Sequence, residues 1–487
     1  MFSGERKKFV VHLAWLVVGA ALILQVASQG PSPSSRVARP YTCGFSMASD
    51  RVRVAQELER SFADWKGRYV IGSGIVGDLR VRRPEDGNDT VSEGVAYGLL
   101  LSAYLDDRET FEGLWGYARS HLSGNGLMDW RIEANNSVSG HGAATDADED
   151  MAIALIVADK KWGGYAPSAK ALIGNIMRHE VEAATYVLKP GDGWGGSNVT
   201  NPSYFAPAYY KVFATYTGDA TWNLVVDRGY ETLANANAQA DGHPTGLLPD
   251  WSTATGQPIP GMGYDYRYDA TRSPWRLAKD AGWFCDARAS AQLSAFNVFF
   301  RHIGVPNIVD GYRLDGTPVG SNHVSAFIAP VTAGAIVSTD IVYRTALWEE
   351  AIRVVDHSYY NDSLRLLSLL FSGGEMPNPL TLDDNRDQFS SCTCSLDITY
   401  GAPREGWLYP AVLLDCIRAG PSVGRWPTTC ASNWPSTRSR WPSGISAPSR
   451  ALVHHTNHSC QYTAAAYRAG RDRLDESGGE VPRQRDG

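Results

Sequence analysis

Apolar positions recur every three to four residues along most of this chain. Between residues 51 and 66 they fall at Val52, Val54, Ala55, Leu58, Phe62 and Trp65, the stripe of an amphipathic helix. The same period runs through 93–105, with Tyr97, Leu100, Leu101 and Tyr104. After a short Asp106-Asp107 turn it resumes over 108–122. It continues over 146–161, 166–183, 203–216 and 219–240, then over 276–281, 289–302, 325–337, 346–357 and 362–371. Loops rich in Gly, Asn, Asp and Trp separate these stretches, as at 191–201 and 241–268. Strand-type alternation is almost absent. About a dozen helices in succession predict an all-α domain. The period does not choose between an open solenoid and a closed barrel.

The two ends of the chain read differently. Arg6, Lys7 and Lys8 precede an uninterrupted apolar run from Leu13 to Leu24, and small residues follow near Ser28. Residues 1–28 therefore read as a secretory signal peptide, with an uncleaved signal anchor over 9–27 as the rival. His12 and Gln25 shorten the apolar stretch below the ~20 residues that a spanning helix wants. Residues 29–48, with Pro31-Ser32-Pro33-Ser34-Ser35, read as a linker, and 49–420 as the main globular domain. Past 420 the period is lost. Residues 421–487 are rich in Pro, Ser, Arg and Gly, with Trp426, Trp434 and Trp441 interspersed, and read as a disordered tail.

Composition narrows the chemistry. The 487 residues carry a net charge of −7, which offers no basic face for nucleic acid. Seven cysteines show no CxxC pair and no Cys/His ligand spacing, so neither a metal nor another cofactor is expected. One or two disulfides are possible if the protein is exported. The 15 Trp and 23 Tyr suit a large aromatic core, a sugar-stacking cleft, or both.

Four segments concentrate acids beside aromatics and glycines. They are Ser92-Glu93-Gly94-Val95-Ala96-Tyr97-Gly98, Gly126-Leu127-Met128-Asp129-Trp130-Arg131, the run from Ala144-Thr145-Asp146-Ala147-Asp148-Glu149-Asp150 to Trp162, and Tyr268-Asp269-Ala270-Thr271-Arg272-Ser273-Pro274-Trp275-Arg276. Each has an ordinary structural reading. Ser92-Glu93 suits a helix start, Asp146 an N-cap, and Asp269 with Arg272 a surface ion pair. Asp148, Glu149 and Asp150 read as first-turn acids favoured by the helix dipole.

Taken together and in this order, the four segments resemble glycoside hydrolase family 8, the family of many bacterial endoglucanases. The resemblance covers residues 50–420. It implies an (α/α)6 barrel with the active-site cleft at one end, and inverting endo-hydrolysis of β-1,4-glucosidic bonds in a cellulose-like polysaccharide. Xylan, lichenan and chitosan are the rival substrates within the family, and a non-catalytic glycan-binding barrel is the rival from another class. Glu93 would then be the proton donor, Asp269 the general base, and Asp146 the central acid supporting the distorted sugar. Trp130, Trp194, Tyr268 and Arg272 would contact substrate, although either Trp would also suit a core. The protein is expected to be secreted and to act as a monomer, meeting a membrane only if the N-terminal segment stays uncleaved. One tension is physical. The positive end of a helix lowers the pKa of a carboxyl, whereas a general acid needs it raised, so burial or a second acid must prevail at Glu93.

Overall fold

The computed structural model describes residues 41–48, 50–238, 245–382, 395–399 and 411–415. The predicted signal peptide, the first part of the linker and the tail lie outside them. Twelve helices stand among the described residues, one for each periodic stretch. They are α1 Arg51–Tyr69, α2 Ser92–Tyr104, α3 Arg108–Ser120, α4 Thr145–Trp162, α5 Ala166–His179, α6 Pro207–Thr217, α7 Trp222–Ala238, α8 Ser273–Trp283, α9 Ala287–Ile303, α10 Ser325–Gly334, α11 Ile341–Arg353 and α12 Tyr359–Ser372.

Local chemistry sets many of the ends. Asp50, Asp107, Asp286 and Asp340 each accept a first-turn N–H at the start of α1, α3, α9 and α11. Pro207 and Pro274 stand in the first turn of α6 and α8, where their missing N–H costs nothing. Gly218 ends α6 in the left-handed conformation, at φ 79°.

Burial alternates along the chain. All of α8 and α10 is buried, as is every residue of α2 except Glu93 and the first fourteen residues of α4. Helices α1, α3, α5, α7, α9 and α11 bury one stripe each and show solvent the other face. The even-numbered helices form an inner ring. Helix α2 packs on α4, α6 on α8, α8 on α10, α10 on α12, and α12 returns to α2. The result is the (α/α)6 barrel. An inner helix is apolar nearly all round because it has no solvent face, while an outer helix needs only a stripe.

Two features depart from the sequence reading. Five short strands accompany the helices: β1 Val70–Gly72 pairs antiparallel with β2 Leu79–Val81, and β3 Thr90–Val91, β4 Arg131–Ile132 and β5 Val138–Gly140 form an antiparallel sheet in that order. At two or three residues each, they are too short for alternation to register. A further antiparallel hairpin pairs β6 Ser395–Thr399 with β7 Ala411–Asp415. Second, residues 41–48, placed in the linker by the sequence reading, pack against the barrel. The Tyr41 ring stacks on Phe371 of α12 at 4.5 Å, Cys43 N–H donates to the Gly282 carbonyl at 3.0 Å, and Phe45 N–H to the Ile336 carbonyl at 2.7 Å. Aromatic side chains decide the matter here, against a backbone composition that reads as linker.

Cys43 is disulfide-bonded to Cys285, between α8 and α9, across 242 residues of sequence. Closing so long a loop restricts the unfolded chain strongly. Cys43→Ser should lower stability by about 2–5 kcal/mol in denaturant titration. A midpoint equal to wild type under oxidising conditions would show that the clasp contributes nothing.

Candidate active site

The small sheet delivers the first acid. Strand β3 runs straight into α2, and Ser92 N–H donates to the Trp130 carbonyl at 3.0 Å. Glu93 and Trp130 are thereby fixed side by side. Trp130 packs closely against Gly140, where a Cβ would stand 2.4 Å from the indole; only glycine leaves that space. Asp146 follows Thr145 at the start of α4. The Thr145 hydroxyl donates to the Lys189 carbonyl at 2.8 Å, and no side chain caps the helix. Asp269 precedes and Arg272 ends the 3-10 turn Ala270–Arg272, which leads directly into α8.

Arg272 joins the three acids. Its Nη1 donates to Glu93 Oε2 at 2.8 Å and to Asp146 Oδ2 at 2.7 Å, and its Nη2 donates to Asp269 Oδ1 at 2.5 Å. The guanidinium is buried and lies 5.0 Å from the centre of the Tyr204 ring. Two of the other oxygens have their own donors, while Asp146 Oδ1 is buried without a hydrogen-bond partner. Tyr359 OH reaches Glu93 Oε1 at 3.0 Å, and Trp251 Nε1 reaches Asp269 Oδ2 at 3.1 Å. A cleft of about 540 Å³ opens over this cluster. Glu93, Asp146, Asp269, Arg272, Trp130 and Tyr268 all line it.

Electrostatics separate the three acids. Burial raises the Glu93 carboxyl to about 7; Arg272 opposes the rise and Asp146 adds to it. Burial thus outweighs the helix end, which resolves the tension seen in the sequence. Asp146 is also raised, by burial first, with Arg272 and Arg276 opposing. Asp269 is the most open of the three, its side chain 32% exposed against 16% for Glu93 and 3% for Asp146.

Three expectations change. Trp194 does not line the cleft; it is 48% exposed and stacks on Trp251 at 5.7 Å, one ring beyond Asp269. Arg272, expected as a substrate contact, has its guanidinium taken up by carboxylates. Asp148, Glu149 and Asp150, read as acids favoured by the helix dipole, are fully buried, because α4 belongs to the inner ring. Asp150 pairs with Arg276 at 2.6 Å, and Glu149 accepts from Tyr210 OH at 2.6 Å.

The sequence reading missed Tyr204, Tyr359 and Tyr360 in the cleft wall, and Asp250 and Trp251 beside Asp269. The surplus of aromatics was the only signal for the tyrosines and Trp251, and Asp250 had none. Tyr360 OH donates to the Tyr268 carbonyl, and Tyr268 OH to Asp310 Oδ2 at 3.1 Å, so the start of α12 and two loops hold that rim together.

Two carboxyl groups lining one cleft, one raised by burial and one more open to water, are the equipment of glycosidic-bond cleavage. Comparison with known proteins points the same way. The family model of glycosyl hydrolases family 8 matches residues 40–374. Endoglucanase A of Acetivibrio thermocellus is 45% identical over 395 residues, covering 78% of this chain and 82% of its own length. Endoglucanase 2 of Ruminiclostridium josui is 41% identical over 391 residues, covering 77% and 84%. Among solved structures, the β-1,3-1,4-glucanase of Paenibacillus sp. X4 superposes with a TM-score of 0.64 at 30% identity, covering 69% of this chain and 96% of its own. With the barrel, the Arg272-centred acids and these relatives in agreement, the chain belongs to glycosyl hydrolases family 8.

Proposed function

We propose that this protein hydrolyses internal β-1,4-glucosidic bonds of cellulose-like glucans, with inversion at the anomeric carbon. The observation that carries the reading is the division of labour among the Arg272-linked acids. Glu93, with its carboxyl raised to about 7, holds a proton at weakly acidic pH and gives it to the leaving oxygen. Asp269, the open acid, takes a proton from a water as that water bonds to the anomeric carbon. The old C–O bond breaks as the new one forms, and no covalent enzyme intermediate arises. Asp146, tied to the same Arg272 guanidinium, supports the positive charge that develops on the sugar ring. Trp130 and Tyr268 offer aromatic faces to the chain on either side. The names of the relatives support a glucan over a xylan, and the Cys43–Cys285 disulfide supports an exported protein.

Proton NMR of the first products from a soluble β-1,4-glucan tests the mechanism. Water attack opposite the leaving group should give α-anomeric reducing ends first. Initial β-anomer would make one of the acids a nucleophile and overturn the assignment. Running lichenan and xylan alongside ranks the substrates, and faster release from xylan would overturn the glucan reading.

A further inference from the structure

The turn that carries Asp269 and Arg272 begins without a cap of its own. Asp269 precedes Ala270–Arg272 with helical backbone angles, φ −75° and ψ −55°, and its carboxylate accepts none of the N–H groups ahead of it. Here those groups are already taken. Ala270 N–H donates to Asp250 Oδ1 at 2.7 Å, Thr271 N–H to the Arg267 carbonyl at 2.9 Å, and Arg272 N–H to the Asp269 carbonyl at 3.2 Å. On the other side of Asp269, Arg267 N–H donates to the same Asp250 Oδ1 at 3.1 Å. Asp250 is itself held firmly. Its N–H donates to the Asp265 carbonyl at 2.9 Å, and the Trp251 N–H to the Gly263 carbonyl at 3.0 Å. One short paired stretch therefore presents two side chains to Asp269, the carboxyl of Asp250 behind its backbone and the indole of Trp251 on its Oδ2.

We propose that Asp250 is a positioning residue for Asp269. Its Oδ1 ties down the N–H groups on both sides of Asp269 and so fixes the backbone from which the Asp269 carboxylate faces the cleft, where Trp251 and Arg272 hold its two oxygens. The inference rests on the reading of Asp269 as the base. Asp250 is 9% exposed, and burial together with the Asp269 charge raises its carboxyl to about 7. A neutral carboxyl still accepts through its carbonyl oxygen, so the turn needs an acceptor at that place and not a charge. Asparagine keeps that acceptor and alanine removes it.

The experiment measures kcat and KM on soluble glucan for wild type, Asp250→Ala and Asp250→Asn. Calorimetric titration with cellotetraose counts the folded binding sites in each sample. Losing that acceptor frees the Arg267 and Ala270 N–H groups and lets the backbone at Asp269 shift, carrying its carboxylate with it. A misplacement of order 1 Å costs up to ~10²-fold in rate. Asp250→Ala should therefore lose ~10–10²-fold in kcat per binding site, with KM within about threefold of wild type. Asp250→Asn should recover at least about tenfold of that loss, because its carboxamide oxygen still accepts both N–H groups. Normalising to binding sites removes any contribution from unfolded protein. If the alanine variant does not fold, Asp250→Ser, whose shorter side chain does not span both N–H groups, replaces it with the same expectation. Wild-type kcat per site in the alanine or serine variant, or an asparagine variant as slow as alanine, overturns the proposal. Failure of the function reading is distinct from this, because it shows in wild type as absent hydrolysis or initial β-anomer.

Discussion

Glu93→Gln should fold normally and lose ~10²–10⁴-fold in kcat/KM on cellulosic substrates. The carboxamide has the size of the carboxyl and its oxygen still accepts from Arg272 Nη1, so the cleft keeps its shape. What disappears is the proton, and an unprotonated sugar oxygen leaves poorly. Two further measurements separate this from a packing defect. On an aryl glycoside whose phenol leaves unaided, the variant should lose far less, because the acid was not needed there. In wild type, kcat/KM should fall as pH rises through about 7, where the raised Glu93 carboxyl loses its proton; the variant's residual rate should lack that limb. Stability carries the same signature. A carboxyl raised in the fold favours the folded state below its ordinary value of 4.5, and that contribution is lost as pH rises to about 7. The melting temperature of Glu93→Gln relative to wild type should therefore improve across that window. A variant within a few-fold of wild type on cellulose removes Glu93 from the mechanism.

How much of this was open to reading from the chain differs by element. Every periodic stretch became a helix, because burial of an apolar face is written locally. The inner and outer rings were also written there: Ser325–Gly334 has no polar stripe, whereas Arg108–Ser120 does. Glu93, Asp146 and Asp269 stood out because each sits in a recognisable segment. Asp250, Trp251, Tyr204, Tyr359 and Tyr360 did not. They come from loops and helix starts that only the closed barrel brings together, and no local period marks them. The buried acids of α4 are the instructive miss. A helix-dipole argument favours acids in a first turn whether or not the turn meets solvent, and says nothing about which ring the helix joins. A pairing signal was nevertheless present. Asp146 and Asp150 are one helical turn apart, as are Arg272 and Arg276, and the structure pairs them in order across α4 and the start of α8. Two acids and two arginines at matching spacing, inside otherwise apolar runs, predict a buried ladder rather than two surface pairs.

Arg272 is where that ladder meets the chemistry, and Arg272→Met should be the most damaging single change in the cleft. Met keeps the length and still packs on the Tyr204 ring. It removes the only cation shared by Glu93, Asp146 and Asp269 among the described contacts. Breaking a buried charge network by deleting one partner costs about 3–5 kcal/mol, because the remaining charges are left without compensation. The cost should depend on pH in a defined direction. Arg272 holds down the carboxyls of Glu93 and Asp146, so in the variant both rise further and stay protonated to higher pH. Raised folded-state values give stability that is present at acid pH and lost as pH rises. The variant should therefore lie closest to wild type near pH 4.5 and fall progressively below it toward pH 8, the reverse of ordinary acid denaturation. Activity should drop by at least ~10²-fold even where the variant is folded, since Asp269 loses the donor on Oδ1 that orients it. Thermal melts of both proteins from acid to alkaline pH read the first effect, and kcat at the most stabilising pH reads the second. A gap in melting temperature that stays constant with pH would show that Arg272 packs in the site without holding its charges, and the three acids would then have to be separated by something other than this guanidinium.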